Sequence, residues 1–237
     1  MDGFSYHNIF DTKGIEYLAI IAFFLVLLPF WLLLNKQVKV RISEAFKSLS
    51  SSLLIIPQGI FYSKNHTWAH LERNGIAKIG LNGLLTHITG EVHLRQMKNP
   101  GEQIVKGDLL AEIDQNGKSL LIYSPISGTV VRPNPELNED QKLLYDDPYG
   151  KGWIYSIKPT DWKLETNSCL LAEEASDWLK VELVRYKDFL AMNLNDPSNL
   201  GAPIVLQDGG EISENSLSVM PDKVWHDFQY EFLNYVG

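Results

Sequence analysis

The sequence has a single cysteine, Cys169, in 237 residues. One thiol excludes an internal disulfide and any metal site built from several cysteines. Basic residues are also few, since 21 Lys and Arg stand against 29 Asp and Glu and the formal net charge is −8. A nucleic-acid-binding protein needs a basic face, so this balance argues against DNA or RNA as a partner.

The sequence also lacks the short motifs of common catalytic and cofactor sites. It contains no Gly-x-Ser-x-Gly nucleophile elbow, no glycine-rich phosphate loop before a helix, and no Cys-x-x-Cys-His. His66 and His70 are four residues apart, but on a strand this spacing is about 13 Å, too far to share one metal ion. We therefore predict no catalytic residue, no metal site and no enzymatic activity.

A long apolar run near the start of the chain is the first feature that the sequence does contain. Residues 17–34 carry no charge, and this length is close to the roughly 20 residues that a membrane-spanning helix needs. A signal peptide is the alternative, but it has a basic start and a small-residue cleavage site. Here Asp2, Asp11 and Glu16 precede the run and no such site follows it. We predict a retained transmembrane helix over residues 17–35.

The basic residues around this run predict its orientation. Four follow it and one precedes it, namely Lys36, Lys39, Arg41 and Lys47 against Lys13. Because basic flanks stay inside, residues 1–16 should be extracytoplasmic and the bulk of the chain cytoplasmic, on a single-pass protein of the bacterial inner membrane. Residues 36–57 read as a juxtamembrane linker. Its basic residues either contact the lipid bilayer or only tether the next domain, and the sequence leaves both open.

Residues 58–192 have the pattern of a compact, mainly β domain. Short alternating runs are separated by Gly, Pro and Asn turns, and Asn74-Gly75 is a hairpin signal. A short helix is expected between Leu81 and Thr89. Residues 160–192 turn helical, with an apolar face that packs either on the same domain, which we favour, or on a partner.

The last segment, residues 193–237, combines a polar linker with an aromatic terminal helix. Trp225, Phe228 and Phe232 lie on one helical face. Such a face can dock in the groove of a partner protein or pack on its own domain. Because the preceding linker is long and polar, the sequence favours docking of these three residues on a partner.

Two motifs connect the middle of the chain with a known family. Ser124-Pro125-Ile126-Ser127-Gly128 is followed by Asp147-Pro148-Tyr149-Gly150-x-Gly152-Trp153. Together with weaker matches in the same order between Tyr62 and Ala175, they resemble the glycine cleavage system H protein, a lipoyl carrier. The resemblance implies a barrel-sandwich hybrid of two small sheets. The predicted fold is therefore mainly β and of the lipoyl type, with flanking helices, one N-terminal transmembrane helix and a C-terminal tail.

The lysine that carries lipoate in that family is displaced here. In the family it lies eight residues before the proline of the Ser-Pro motif, with an acidic residue three before it. In this sequence Gly117 occupies the lysine position and Asp114 the acidic one, while Lys118 comes one residue late. Asn116-Gly117 predicts a tight type I′ turn, so Lys118 should begin the return strand and not crown the turn. We predict that the chain carries no lipoate and no other cofactor.

These observations favour a non-catalytic, membrane-anchored subunit that scaffolds or docks within a larger bacterial membrane complex, with a respiratory or electron-transfer complex as the setting. Its partners would be the other subunits of that complex. The alternative is a membrane-tethered lipoyl carrier that uses Lys118 to shuttle an aminomethyl, acyl or redox group. A receptor that binds partners without stable assembly is a third hypothesis.

Overall fold

The computed structural model describes residue 17, residues 20–30, residues 56–194 and residues 212–234. The chain divides into two units, Met1–Lys47 and Ser48–Gly237. In the first, residue 17 and residues 20–30 (α1) are helical with exposed side chains. No helix among the described residues is both long enough and apolar enough to cross a bilayer. The predicted span, residues 17–35, extends beyond the described residues, so the anchor stays a prediction.

The described residues of the second unit form two antiparallel sheets. The larger has seven strands in the order β10-β1-β2-β3-β9-β8-β5, and the smaller has three in the order β4-β6-β7. The strands are β1 (Phe61–Tyr62), β2 (Thr67–Leu71), β3 (Ala77–Leu81), β4 (His93–Gln96), β5 (Gln103–Ile104), β6 (Leu109–Gln115), β7 (Lys118–Tyr123), β8 (Gly128–Pro133), β9 (Trp153–Pro159) and β10 (Leu170–Leu171). The predicted mainly β fold is confirmed.

Helices flank the sheets. They are α2 (Gly83–Thr89), α3 (Glu136–Glu139), α4 (Leu143–Asp146), α5 (Trp162–Thr166), α6 (Ala172–Leu194) and α7 (Asp222–Phe228), which continues into a π-helix (Gln229–Leu233). The expected short helix after Leu81 is α2, and the Asn82 side chain caps it by accepting from the Leu85 amide. The helical stretch expected over residues 160–192 is divided into α5 and α6, because β10 comes between them and pairs with β1.

The Asp-Pro-Tyr-Gly-x-Gly-Trp motif forms the turn that leads into β9. The Asp147 carboxylate accepts hydrogen bonds from the amides of Gly150 and Lys151 at 3.1 and 2.8 Å. A Cβ at Gly152 would lie 2.4 Å from the Leu143 carbonyl oxygen, so no larger residue fits there. The Tyr149 hydroxyl accepts from the Gly83 amide at 2.8 Å and ties the turn to the start of α2. The motif is therefore structural.

The core lies between the two sheets. Leu120 and Ile122 are buried on β7 while their neighbours are not, the alternation expected of a strand with one covered face. They belong to one cluster with Ile79 and Ile157 of the larger sheet. Burial of each such side chain contributes about 1.5–3 kcal/mol. The same cluster continues into α6 and into residues 212–234, which we call the C-terminal segment.

Candidate functional site: the hairpin lysine and the C-terminal segment

The β6–β7 hairpin turns at Asn116 and Gly117. Both residues have positive φ, 54° and 82°, which is the conformation of a type I′ turn. Gln115 pairs with Lys118 across the hairpin, so Lys118 is the first residue of β7. Gly117 is therefore at the tip of the hairpin, and Lys118 is one residue past it.

The Lys118 amine is bound by the C-terminal segment. Its Nζ donates to the backbone carbonyls of Ser218 and Met220 at 2.5 and 2.9 Å. It also lies 5.1 Å from the centre of the Trp225 ring, within the range of a cation–π contact. Burial lowers the pKa of Lys118, and the nearby carboxylate of Asp222 acts in the opposite direction. Lys118 thus connects the hairpin to the C-terminal segment.

The C-terminal segment first joins the domain at the end of α2. The amides of Asn215 and Leu217 donate to the carbonyls of His87 and Ile88 at 2.8 and 2.9 Å. Gly90, which ends α2, lies so close that a Cβ there would be 2.4 Å from the Asn215 side-chain oxygen. These contacts place the segment across α2 before it reaches β7.

A second contact covers the free edge of β7. The Leu121 amide donates to the Gln229 side-chain oxygen at 2.7 Å, and the Gln229 side-chain nitrogen lies 3.4 Å from the Leu121 carbonyl. One side chain of the π-helix thereby takes the place of a neighbouring strand. A glutamine also covers the opposite edge of the small sheet. There the Leu94 amide on β4 donates to the Gln141 side chain at 2.8 Å.

The aromatic residues of the C-terminal segment complete the core. Trp225, Phe228 and Phe232 are 0%, 0% and 1% exposed. Phe228 and Phe232 stack at 4.6 Å between ring centres, and both contact Tyr186 of α6 edge-on. The prediction that these three residues dock on a partner is therefore wrong for the molecule as folded. The aromatic face covers the chain's own sheet and helix α6, which would otherwise expose apolar side chains to water.

A polar network of buried His66, buried Glu182 and partly exposed Arg185 contacts the other side of the segment. Arg185 donates to Glu182 at 2.9 Å and to the Glu231 carbonyl, and its guanidinium lies 4.2 Å from the centre of the Phe232 ring. Glu182 in turn lies 3.3 Å from His66 Nε2. Burial acts to raise the pKa of Glu182, but the hydrogen bond with His66 and the charge of Arg185 outweigh it and hold that pKa below its usual range.

The tautomer of His66 follows from its neighbours. Asn82 Oδ1 already accepts from the Leu85 amide at 2.9 Å, so the Asn82 side-chain nitrogen donates to His66 Nδ1 at 3.0 Å. His66 Nε2 then carries the proton and donates to Glu182. His70, four residues along, instead hydrogen-bonds the Gly59 carbonyl at 2.9 Å. The two histidines have separate structural partners.

Sequence reasoning missed Gln229, Gln141 and the pair formed by Arg185 and Glu182. A glutamine that covers a strand edge has no pattern that separates it from a solvated glutamine. Arg185 and Glu182 are three residues apart on a predicted helix, and this spacing suggests an ordinary surface pair. Only their position against the C-terminal segment shows that they hold the segment on α6.

Comparison with known proteins shows which family the middle of the chain resembles. Residues 60–182, which are 123 of 237, match the family profile described as glycine cleavage H-protein. A probable glycine cleavage system H protein of Pyrococcus horikoshii is 30% identical over 125 residues, which cover 53% of this chain and 92% of that protein. The glycine cleavage system H protein of Aeromonas salmonicida is 35% identical over 106 residues, covering 45% of this chain and 82% of that protein.

A solved structure is also similar. The crystal structure of a glycine cleavage system H protein from Mycobacterium marinum aligns with a TM-score of 0.47 and 25% sequence identity, covering 53% of this chain and 99% of that one. The C-terminal segment lies outside the residues that match the family profile.

Proposed function

Because this chain belongs to the glycine cleavage H-protein family, we propose that it keeps the carrier fold but uses the β6–β7 hairpin to hold its own C-terminal segment in place of a lipoyl arm. The observation that carries the proposal is the Lys118 amine, which donates to two backbone carbonyls of that segment. In this role the chain is a non-catalytic subunit, and the docked segment is a permanent part of its surface.

The chemistry of Lys118 supports this role. A lipoyl amide would remove the positive charge from Nζ and leave it one N–H to donate. The unmodified ammonium now donates to two carbonyls and makes a cation–π contact with the Trp225 ring. A fully buried carbonyl without a donor costs about 1–3 kcal/mol, and for these partly buried carbonyls the cost is a fraction of that. A lipoyl group would also need the space that the segment fills. Lipoylation of Lys118 and docking of the segment therefore exclude each other.

The proposed setting is a larger complex of the bacterial inner membrane, possessing respiratory or electron-transfer activity. The uncharged run over residues 17–34 and the basic residues after it support an anchor that leaves the H-protein-like domain on the cytoplasmic side. In this proposal the partners are the other subunits of the complex. They contact surfaces other than Trp225, Phe228 and Phe232, because these side chains are buried.

The experiment that tests this function is isolation of the chain from its native membrane in mild detergent, followed by intact mass measurement and identification of co-purifying proteins. We expect an unmodified Lys118 and a stable set of partner subunits. A chain that runs alone would contradict the subunit role and favour a receptor without stable assembly.

The second candidate function is a membrane-tethered lipoyl carrier that uses Lys118 to shuttle an aminomethyl, acyl or redox group. Membership of the H-protein family favours it. The same mass measurement separates the two candidates, because a lipoyl group located on Lys118 by peptide mapping would refute the scaffold role.

A further inference from the structure

A cavity of about 750 Å³ opens beside the far end of β7, away from the hairpin tip. This volume lies within the range of small-molecule sites, roughly 300–1,000 Å³. Its walls come from the turn before β2, the β5–β6 turn, the end of β7 and the turn after α5, and they include Lys64, Lys106, Tyr123 and Cys169. The cavity takes no part in the contact between Lys118 and the C-terminal segment.

Lys106 and Lys64 are the basic residues of the lining. Lys106 Nζ donates to the Ser168 hydroxyl at 2.7 Å, a neutral partner, and no carboxylate of the described residues forms an ion pair with it. Asp108 is the acidic residue of the lining, and its carboxylate accepts from the Val105 amide at 2.8 Å within its own turn. A lysine held by a hydroxyl keeps its charge available to a bound anion.

Ser168 holds Lys106 in position. Its hydroxyl donates to the Glu165 carbonyl at 3.1 Å, so the oxygen lone pairs remain for the lysine ammonium. The Lys106 amide is also anchored, because it donates to the Ser127 hydroxyl at 2.9 Å. The charge is thus presented from a fixed turn, and less entropy is lost when an anion binds.

The C-terminal segment supplies one wall. Asn234 lines the cavity, and its side-chain oxygen accepts from the Gln229 side chain at 2.7 Å. Gln229 is the residue that covers the β7 edge, so the wall is built only when the segment is docked. Because Asn234 lies outside residues 60–182, this wall is an addition to the family domain.

We propose that this cavity binds a small organic molecule carrying a carboxylate or phosphate group, with Lys106 as the principal charged contact. Lys64 adds a second positive charge to the same lining, and the Tyr123 side chain adds an aromatic surface for the body of the ligand. The site requires the docked C-terminal segment but neither lipoate nor a partner subunit, so it can be tested separately from the subunit role.

The single cysteine provides the probe. Cys169 lines the cavity and is the only thiol in the sequence, so thiol modification of the full chain reports on this place alone. Two aromatic disulfides are compared, the dianionic 5,5′-dithiobis(2-nitrobenzoate) and the neutral 4,4′-dithiodipyridine. Burial raises the pKa of the Cys169 thiol, while Lys106 acts to lower it. Any change in thiolate fraction alters both rates equally and cancels in their ratio.

The matched variants are Lys106→Met and Lys158→Met, the latter an exposed lysine of β9 that does not line the cavity. We expect Lys106→Met to lower the ratio of the anionic to the neutral rate by about tenfold, and Lys158→Met to leave it unchanged. Lys106→Arg should keep the ratio, which separates loss of charge from loss of folding. An unchanged ratio in a folded Lys106→Met chain would refute the proposal.

Protection identifies the ligand group. Inorganic phosphate and acetate are added separately at constant ionic strength, and modification by the neutral reagent is followed. Slowing by phosphate in wild type but not in Lys106→Met supports a phosphate ligand, and slowing by acetate supports a carboxylate. If neither anion protects Cys169 in wild type, the cavity is not an anion site.

Discussion

Gly117 and Lys118 are neighbours in one hairpin, yet their surroundings differ. A Cβ at Gly117 would meet no atom within 4 Å, whereas the Lys118 side chain reaches three groups of the C-terminal segment. Side chains on a strand alternate between faces, so a shift of one residue moves the amine from the open tip to the covered face. In the proposed scaffold role, the difference between a lipoyl lysine and Lys118 is therefore the direction of one side chain.

We expect Gly117→Lys to make the hairpin a substrate for a lipoate ligase. The acidic residue Asp114 is in place, and the tip has room, although a non-glycine residue at a φ of 82° costs about 1–2 kcal/mol. With ligase, lipoate and ATP, the variant should gain one lipoyl group by intact mass. Wild type should gain none.

Two controls define that result. Gly117→Ala carries the same backbone strain without a nucleophile and should stay unmodified. Gly117→Lys combined with Lys118→Arg should still be modified, which locates the group at position 117. Modification of wild type at Lys118 with a comparable yield would show that the position of the lysine at the hairpin tip does not determine recognition by the ligase.

The C-terminal segment covers an edge strand of the small sheet. A strand edge exposes unpaired amides and carbonyls and invites pairing with other chains. Here Gln229 covers β7 and Gln141 covers β4. The small sheet is therefore closed on both sides by side chains from helical or turn segments of the same chain.

Loss of Gln229 should open the β7 edge. In Gln229→Met the Leu121 amide loses its acceptor, so its hydrogen exchange should accelerate by about five- to tenfold, the equivalent of about 1 kcal/mol. Gln229→Glu keeps an acceptor oxygen and should change the rate less. The measurement is amide exchange at Leu121 by NMR. Equal rates in all three chains would mean that the segment protects this edge by other contacts.

Helix α6 contributes a pH-dependent fastening through Glu182. The folded-state pKa of this carboxyl lies below its unfolded value, so the unfolded chain binds more protons in the window between them. Its stabilising contribution is fully present above the ordinary glutamate pKa of about 4.3 and is lost as the pH falls through the folded pKa. Protonation removes the charge that Arg185 and His66 face.

We therefore expect the unfolding free energy of wild type to fall more steeply below about pH 4.3 than that of Glu182→Gln. Denaturant titrations at a series of pH values measure this difference. Glu173→Gln, at an exposed position in the first turn of the same helix, is the matched control and should follow wild type. If the unfolding free energies of wild type and Glu182→Gln fell in parallel with pH, Glu182 would not contribute to the loss of stability in acid.

At the scale of the whole molecule, the H-protein-like domain and the C-terminal segment share one hydrophobic core. The segment contributes Trp225, Phe228 and Phe232, and the domain contributes Leu120, Tyr186 and their neighbours. We expect a core shared in this way to unfold as one unit, with the segment contributing to the domain's stability.

Trp225→Ala should lower the unfolding free energy by about 3–5 kcal/mol, because it removes a fully buried ring and the hydrogen bond that its Nε1 donates to the Leu217 carbonyl at 2.7 Å. Tyr230→Ala is the control, since that ring is 75% exposed, and its change should stay within about 0.5 kcal/mol. Denaturant unfolding of the full chain measures both. Similar small losses in the two variants would show that the segment is not part of the cooperative core.

Much of the fold followed from local patterns, and much of the site did not. Asn74-Gly75 and Asn116-Gly117 each produced the predicted turn, because their backbone preferences act within four residues. The aromatic helix was expected from its apolar spacing, and it forms α7 and the π-helix. Its docking site was predicted wrongly. An apolar helical face predicts that another surface covers it. Which surface does so depends on contacts between residues far apart in the sequence, and local patterns do not show these contacts.

The sequence by itself determined the mainly β H-protein-like domain, the hairpin turn and the position of Lys118 on β7, since these depend on short-range geometry and on ordered motifs. Only the tertiary structure decided what Lys118 does. Ser218 and Met220 lie 100 and 102 residues from it along the chain, and no local pattern relates them. The partial burial of that contact makes it favourable, because carbonyls withdrawn from water need a donor and an amine withdrawn from water needs acceptors.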